Sequence, residues 1–335
     1  MQDNKMITYI KNVLENMPNG WLSLTTHRLD IYDEKLAKTQ FLEQFETLFN
    51  ANNFEASALN ELPTAYDYIR LGHPLSCVLE WVIAKLYHQE PNNVISFSSR
   101  TAPILAILRK NLLANKNTQI IYTGELPAFF DIELLRRIYG YKFDLKKVEN
   151  TSSISEFNGS SIFISEQDSI CLFDLTSSID FFINTNSRLG SIILVNGEQN
   201  KDYISEIQHV RRRETIAMTP ANTLVALKSL FEKSNVDTNT SAELSRNKTL
   251  VLDSIATITG ANTKAVIASS GLSMQYAIVM GLIHDAVENH KGKAIKIIVP
   301  PNCYGGTNDQ ARRIAACIDN VEVMDLPVDD GNDMA

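Results

Sequence analysis

Seven short apolar runs punctuate this sequence. They are NVISFSS (93–99), TQIIYTG (118–124), SSIFIS (160–165), SICLFDL (169–175), GSIILVNG (190–197), AVIASS (265–270) and IKIIVPP (295–301). Runs this short, bounded by Ser, Gly, Asn or Pro, read as buried strands of a largely parallel sheet. Helical periodicity fills intervals between them, as in APILAILRKNLLANK (102–116) and SMQYAIVMGLIHDAVENHKG (273–292). Strand–helix alternation leaves one broad class, α/β, with a mainly parallel sheet and helices on both faces. The first 60 residues differ: MITYIKNVLENM (6–17) and EKLAKTQFLEQFETLF (34–49) repeat their apolar residues at helical spacing.

A chain of 335 residues exceeds one ordinary core and suits two domains or one large α/β unit. Its net charge of −8 argues against a nucleic-acid surface. The triplet Arg211-Arg212-Arg213 reads as a solvated helix end, with Glu206 and Glu214 beside it. Four cysteines without CxxC spacing suit a reducing, cytoplasmic setting, and the dispersed histidines give no metal site. No signal peptide and no membrane span are expected.

A repeat runs through the chain. Arg136-Arg137-Ile138 returns as Arg312-Arg313-Ile314, and Arg70 as Arg246, both 176 positions on. Between those anchors FSSR falls against ASSG, with Ser99 on Ser270 at an offset of 171, which needs a five-residue insertion in the first copy and a compensating one in the second; any two α/β segments can also be aligned this loosely. Each copy then reads as an arginine-bearing loop, a helix, a strand ending in Ser-Ser, a helix, a strand and an Arg-Arg helix.

The second copy carries a candidate anion site. AVIASS delivers Ser270 to Gly271, where a helix starts, and the first N–H groups of a helix lack internal partners. Glycine permits close backbone approach and serine adds a donor. The same residues also suit an ordinary strand-to-helix turn. The next strand ends in PPNCYGGT, placing Tyr304 in the crevice where open α/β sheets bind ligands. A ring there either lies on a planar heterocycle or packs against its own helix.

Together, IASSGLSMQ, PPNCYGGT and VEVMDLPVDD resemble the Cys/Met metabolism family of pyridoxal-phosphate enzymes, the cystathionine γ-synthase or trans-sulfuration group. The resemblance implies an aspartate-aminotransferase-like fold (fold type I) and pyridoxal 5'-phosphate as cofactor. It matches Ser270, Gly271 and Leu272 to the loop that holds the cofactor phosphate, and Tyr304 to the ring stacked on the pyridine. In the first copy, YDYIRLGHPLSCVLEWVIAKL is similar to a segment that reaches across a dimer, which makes Tyr68 and Arg70 phosphate ligands from a neighbouring unit. GSIILVNG and the turn Thr219-Pro220-Ala221-Asn222-Thr223 resemble the segment after the cofactor lysine.

That lysine is missing. The family places it shortly before the Gly190 strand, and no lysine occurs between Lys147 and Lys201. Asp174 either matches the aspartate on the pyridine nitrogen or the segment is shortened. The first copy also has Arg100 in place of Gly271 and Ala128 in place of Tyr304. Lys264 precedes a strand and Lys296 lies within one, so neither substitutes. The expected organisation is a helical arm (1–60) packed on a neighbouring copy, a degenerate unit (61–235) and the incomplete start of a second unit (236–335). The expected function is trans-sulfuration-type lyase or transferase chemistry on a small-molecule amino-acid substrate, in a homo-oligomer or pseudo-dimer. The alternative is a non-catalytic relative acting in assembly or regulation. No catalytic residue is assigned.

Overall fold

The computed structural model describes residues 2–23, 34–66, 68, 70–151, 154–231, 240–261 and 265–326. The boundary expected between 235 and 236, Lys264 and the closing PVDDGNDMA lie outside the described residues.

Two helices open the chain, α1 (Gln2–Asn16) and α2 (Glu34–Asn50), followed by the short α3 (Ala56–Asn60). They pack on their own chain. Tyr9, Ile10, Phe41 and Phe45 share a core with Trp81 of α4 (Pro74–Leu86). The Phe45 ring meets Trp81 edge-on at 5.4 Å. His73 caps α4: its Nδ1 accepts from Ser76 N, Ser76 Oγ accepts from His73 N, and Pro74 fills the first turn.

The main sheet follows, in the order β1 (Val94–Phe97), β6 (Gly190–Val195), β5 (Phe181–Asn186), β4 (Ser160–Glu166), β2 (Thr118–Tyr122), β3 (Asp144–Lys147). The β5–β4–β2–β3 pairings are parallel, and β6 runs antiparallel to both its neighbours. Alternate strand residues feed two cores. Ile121, Phe163 and Phe182 face the α4 side; Ile120, Ile162 and Ile183 face α5 (Ala102–Leu113) and α7 (Tyr203–Arg213). This is a mixed α/β architecture with a mainly parallel sheet and helices on both faces. Gly190 has φ +116°, and a Cβ there would lie 2.1 Å from Phe97 O, so only glycine lets β6 start this close to β1.

After α6 (Ile132–Arg137) and α8 (Pro220–Lys228), a second series begins: α9 (Thr240–Thr259), α10 (Gly271–Asn289), β7 (Ile295–Val299), α11 (Gly305–Ala315) and β8 (Val321–Asp325). β7 and β8 pair in parallel. Three expectations need correction. Residues 169–175 and 265–270 form no strand, and Arg246 lies exposed on α9, whereas Arg70 sits in a buried turn. Among the described residues no helix is long and apolar enough to cross a membrane.

Arg211 corrects another. It is fully buried, because α4 presents it with a carboxylate. Glu80 Oε1 accepts from Arg211 Nη1 (2.7 Å) and from Ser96 N and Oγ (both 2.9 Å), while Oε2 accepts from Lys38 Nζ (2.5 Å). Burial alone would raise the Glu80 pKa; Lys38 and Arg211 outweigh it and hold the carboxyl down at about 2, against an ordinary 4.5. Burial lowers His73 to about 4 from 6.5.

Both shifts are depressions, so both stabilise the fold above the unfolded value and are lost on acidification. His73's contribution fades as pH falls from 6.5 to about 4, and that of Glu80 from 4.5 to about 2. Glu80→Gln strands two buried cations and is expected to cost about 3–5 kcal/mol in urea unfolding at neutral pH. A loss below about 1 kcal/mol would remove Glu80 from this structural role.

Candidate anion site at the seam between the two series

Tyr304 ends the loop after β7 and precedes the first turn of α11. Gly306 follows it in that turn. A Cβ on Gly306 would lie 2.7 Å from the Leu272 side chain and 2.8 Å from the Tyr304 ring, so glycine here lets both pack against the helix start. Glutamine side chains tie the starts of α10 and α11 together. Gln275 Oε1 accepts from Thr307 Oγ1 (2.8 Å), and Gln310 Nε2 donates to Leu272 O (2.9 Å) and to Arg213 O at the end of α7 (2.5 Å).

Arg70 meets this corner from the first series. It is 5% exposed, and its Nη2 donates to the Tyr304 hydroxyl at 3.3 Å. Its guanidinium carbon lies 4.3 Å from the Tyr68 ring centroid. Nε has no hydrogen-bond partner, and among the described residues no carboxylate pairs with Arg70. Buried arginines ordinarily have a counter-charge. The Arg70 hydrogen bond, against the opposing effect of partial burial, lowers the pKa of Tyr304, and the charges of Arg70, Arg213 and Arg212 add to it. The corner is cationic, and Tyr304 stands 61% exposed beside it.

The structure thus brings Tyr68, Arg70 and Tyr304 together, with Leu272 against the Tyr304 ring. Ser270 is engaged differently from the sequence expectation. Its hydroxyl accepts from Ser273 N (3.1 Å) and caps α10, with Ser273 Oγ closing the reciprocal bond to Ser270 N. Leu272 is a packing residue by its side chain. Gly271 borders open space, with nothing within 4 Å of a Cβ built there.

The start of α5, in the first series, is a closed corner. Ser99 Oγ accepts from Ala102 N (3.1 Å) at the start of α5, and Arg100 pairs with Glu166 at the end of β4 (3.1 Å). The Arg100 guanidinium also lies 4.5 Å from the Phe129 ring centroid. Here the cation already has its carboxylate. The stretch ahead of Gly190 is the β5–β6 hairpin turn, Ser187-Arg188-Leu189, with Asn186 paired to Gly190. Asp174 accepts a hydrogen bond from the Thr151 hydroxyl.

Sequence reasoning missed the contacts that hold the seam. Arg109 is buried on α5 and donates to both Glu214 oxygens (2.5 and 2.9 Å) and to the Tyr276 hydroxyl of α10 (3.4 Å). His209 Nε2 lies 2.8 Å from an Asp309 oxygen, Arg313 pairs with Glu206, and Arg137 with Glu288 (2.6 Å). No local pattern singles out residues whose partners lie 100 or more positions away.

No family model matches the sequence, and no curated protein matches it. Solved structures do align. One is cystathionine gamma-lyase from yeast, at 11% identity and TM-score 0.39, covering 66% of this chain and 62% of that one. Another is cystathionine gamma synthase from Xanthomonas oryzae pv. oryzae in complex with cystathionine, at 10% identity and TM-score 0.39, with coverage of 66% and 62%. A third is metB from Corynebacterium glutamicum, at 15% identity and TM-score 0.33, covering 51% of this chain and 54% of that one. The chain therefore spans less than two-thirds of the length of each. Likeness this distant assigns no function, which rests on the residues themselves.

Replacing Arg70 by Met removes the hydrogen bond and the nearest charge on Tyr304. Spectroscopic titration of the tyrosines is expected to show the most acidic phenol move up toward the ordinary range. An unchanged titration curve would mean that the Arg70–Tyr304 contact is absent in solution.

Proposed function

We propose that this chain binds pyridoxal 5'-phosphate through its phosphate at the seam, and that it belongs to a trans-sulfuration-type protein acting on a sulfur amino acid or an activated homoserine. The observation that carries the reading is Arg70, a buried guanidinium that pairs with no carboxylate among the described residues, placed on the hydroxyl of Tyr304. An arginine fork suits a phosphate dianion. The free N–H groups of Gly271 and Leu272 at the start of α10 suit the same anion. Arg70 and those N–H groups would hold the phosphate, and Tyr304 would carry the ring. When bound, the cofactor supplies an electron sink after α-proton loss, which is what lyase or transferase chemistry at Cβ or Cγ requires.

The division of labour follows. Residues 61–235 act as a non-catalytic partner that lends Tyr68 and Arg70 to the unit beginning at 236, so that one chain imitates a dimer. Support comes from the seam itself. The series α5–β2–α6–β3 and α10–β7–α11–β8 run in the same order, each with its two strands parallel. Ile138 and Ile314, equivalent in the repeat, meet in one small core, as matching surfaces do in two-fold packing.

The fit covers the phosphate and stops there. Among the described residues no lysine hydrogen-bonds or pairs with Arg70, Tyr304 or Ser270. The Arg100–Glu166 pair favours a second reading for the first unit, a pseudoenzyme kept for assembly or regulation.

Equilibrium dialysis of pyridoxal 5'-phosphate tests the proposal. Arg70→Met is expected to weaken binding at least about tenfold, the range of a charged hydrogen bond. Gly271→Arg copies the first unit and is expected to abolish binding, with Tyr304→Ala weakening it less. Equal affinity in the wild type, Arg70→Met and Gly271→Arg would sink the reading. Borohydride reduction followed by peptide mapping is expected to find no pyridoxyl-lysine at a single site. One specific modified lysine would show that this chain supplies the nucleophile after all.

A further inference from the structure

A cleft of about 630 Å3 opens between the start of α2, the turn Pro91–Asn93 and the flank of α7. That volume is of ligand-binding size. Its lining carries more cations than anions, Lys38, Lys201, Arg211 and Arg212 against Glu90, while just outside it Glu198 pairs with Lys201 (2.8 Å) and Asp309 with His209 (2.8 Å). The inner wall is itself unbalanced. Lys38 and Arg211 both pair with Glu80, two positive charges against one negative, and all three side chains are at most 3% exposed. Charge imbalance away from water acts over a longer range than the same charge on the surface.

Polar satisfaction gives an independent sign. Arg211 Nε, a donor on a fully buried lining residue, has no hydrogen-bond partner among the described residues. Native buried polar groups are almost always paired, and an orphan calls for an explanation such as a missing ion or ligand. Nor is the cleft wholly polar, since Leu71 and Ile204 offer apolar contact.

We infer that this cleft binds a small organic dianion, with a phosphate or dicarboxylate head drawn to the Lys38–Arg211 wall and steered by Lys201, His209 and Arg212 at the rim. The cleft shares the Arg212 charge with the Arg70–Tyr304 corner but is otherwise lined by other residues, with Lys38 and Arg211 as its inner cations, and it stands whether or not the chain binds pyridoxal 5'-phosphate.

The Arg70→Met chain, which lacks the other candidate anion site, is the protein to titrate. Calorimetry with inorganic pyrophosphate and, separately, malonate at constant ionic strength distinguishes a phosphate head from a carboxylate one. At least one of the two anions is expected to bind saturably. Adding Ser205→Trp, which fills the cleft from its exposed rim, or Lys201→Glu, which reverses a rim charge, is expected to weaken that binding about tenfold or more. Both substitutions leave the Glu80 pairs untouched, and a thermal melt confirms that the variants fold. Absence of saturable binding by both anions, or wild-type affinity in either rim variant, would overturn the inference.

Discussion

Glu80 is charged yet has no access to water, so each element packed against it must bring it a donor. α2 brings Lys38, β1 brings the Ser96 amide and hydroxyl, and α7 brings Arg211. One carboxylate thereby fixes the helical opening of the chain, the edge of the main sheet and the last turn of a surface helix. The next two residues on that turn are Arg212 and Arg213, whose charges reach Tyr304. Electrostatics at the seam is thus set in part by an ion pair in the core, through the rigidity of α7.

The two corners differ in charge balance. Each has a serine hydroxyl at a helix start and an arginine nearby. In the first series Arg100 meets Glu166, and the corner is neutral and closed. In the second, Arg70 arrives from the first series and pairs with no acid among the described residues. The helix starts differ, since Ser270 is itself the N-cap of α10 with a reciprocal bond to Ser273 whereas Ser99 lies two residues ahead of the N-cap Thr101 of α5.

The sequence was legible where burial follows apolar pattern. Runs at 93–99, 118–124, 160–165, 190–197 and 295–301 contain β1, β2, β4, β6 and β7. β3 and β8 were not, because edge strands such as DLKK and VEVMD need no apolar run. β5 hid for a different reason. Its Asn184 and Thr185 are buried and polar, and they are satisfied by the Leu172 and Ser165 carbonyls. Residues 169–175 misled in the opposite sense: Ile170 and Cys171 are core residues of a loop. At the candidate site, Tyr68, Arg70 and Tyr304 were legible through motif resemblance. Arg109, Glu214 and Tyr276 were not, since Arg109 and Glu214 pair across 105 positions and Tyr276 joins them only where the two series meet.

The seam is built mainly from contacts between charged side chains: Arg313 with Glu206, Arg137 with Glu288, His209 with Asp309. Such contacts weaken as the Debye length shrinks, from about 10 Å at 0.1 M salt to about 3 Å at 1 M. The apolar part of the seam, around Met280, Ile283 and Ile314, is small by comparison with the two main cores. Added electrolyte is therefore expected to weaken the contacts between the two series before it weakens the apolar cores. The Arg70–Tyr304 contact, which joins the two series, shares that sensitivity.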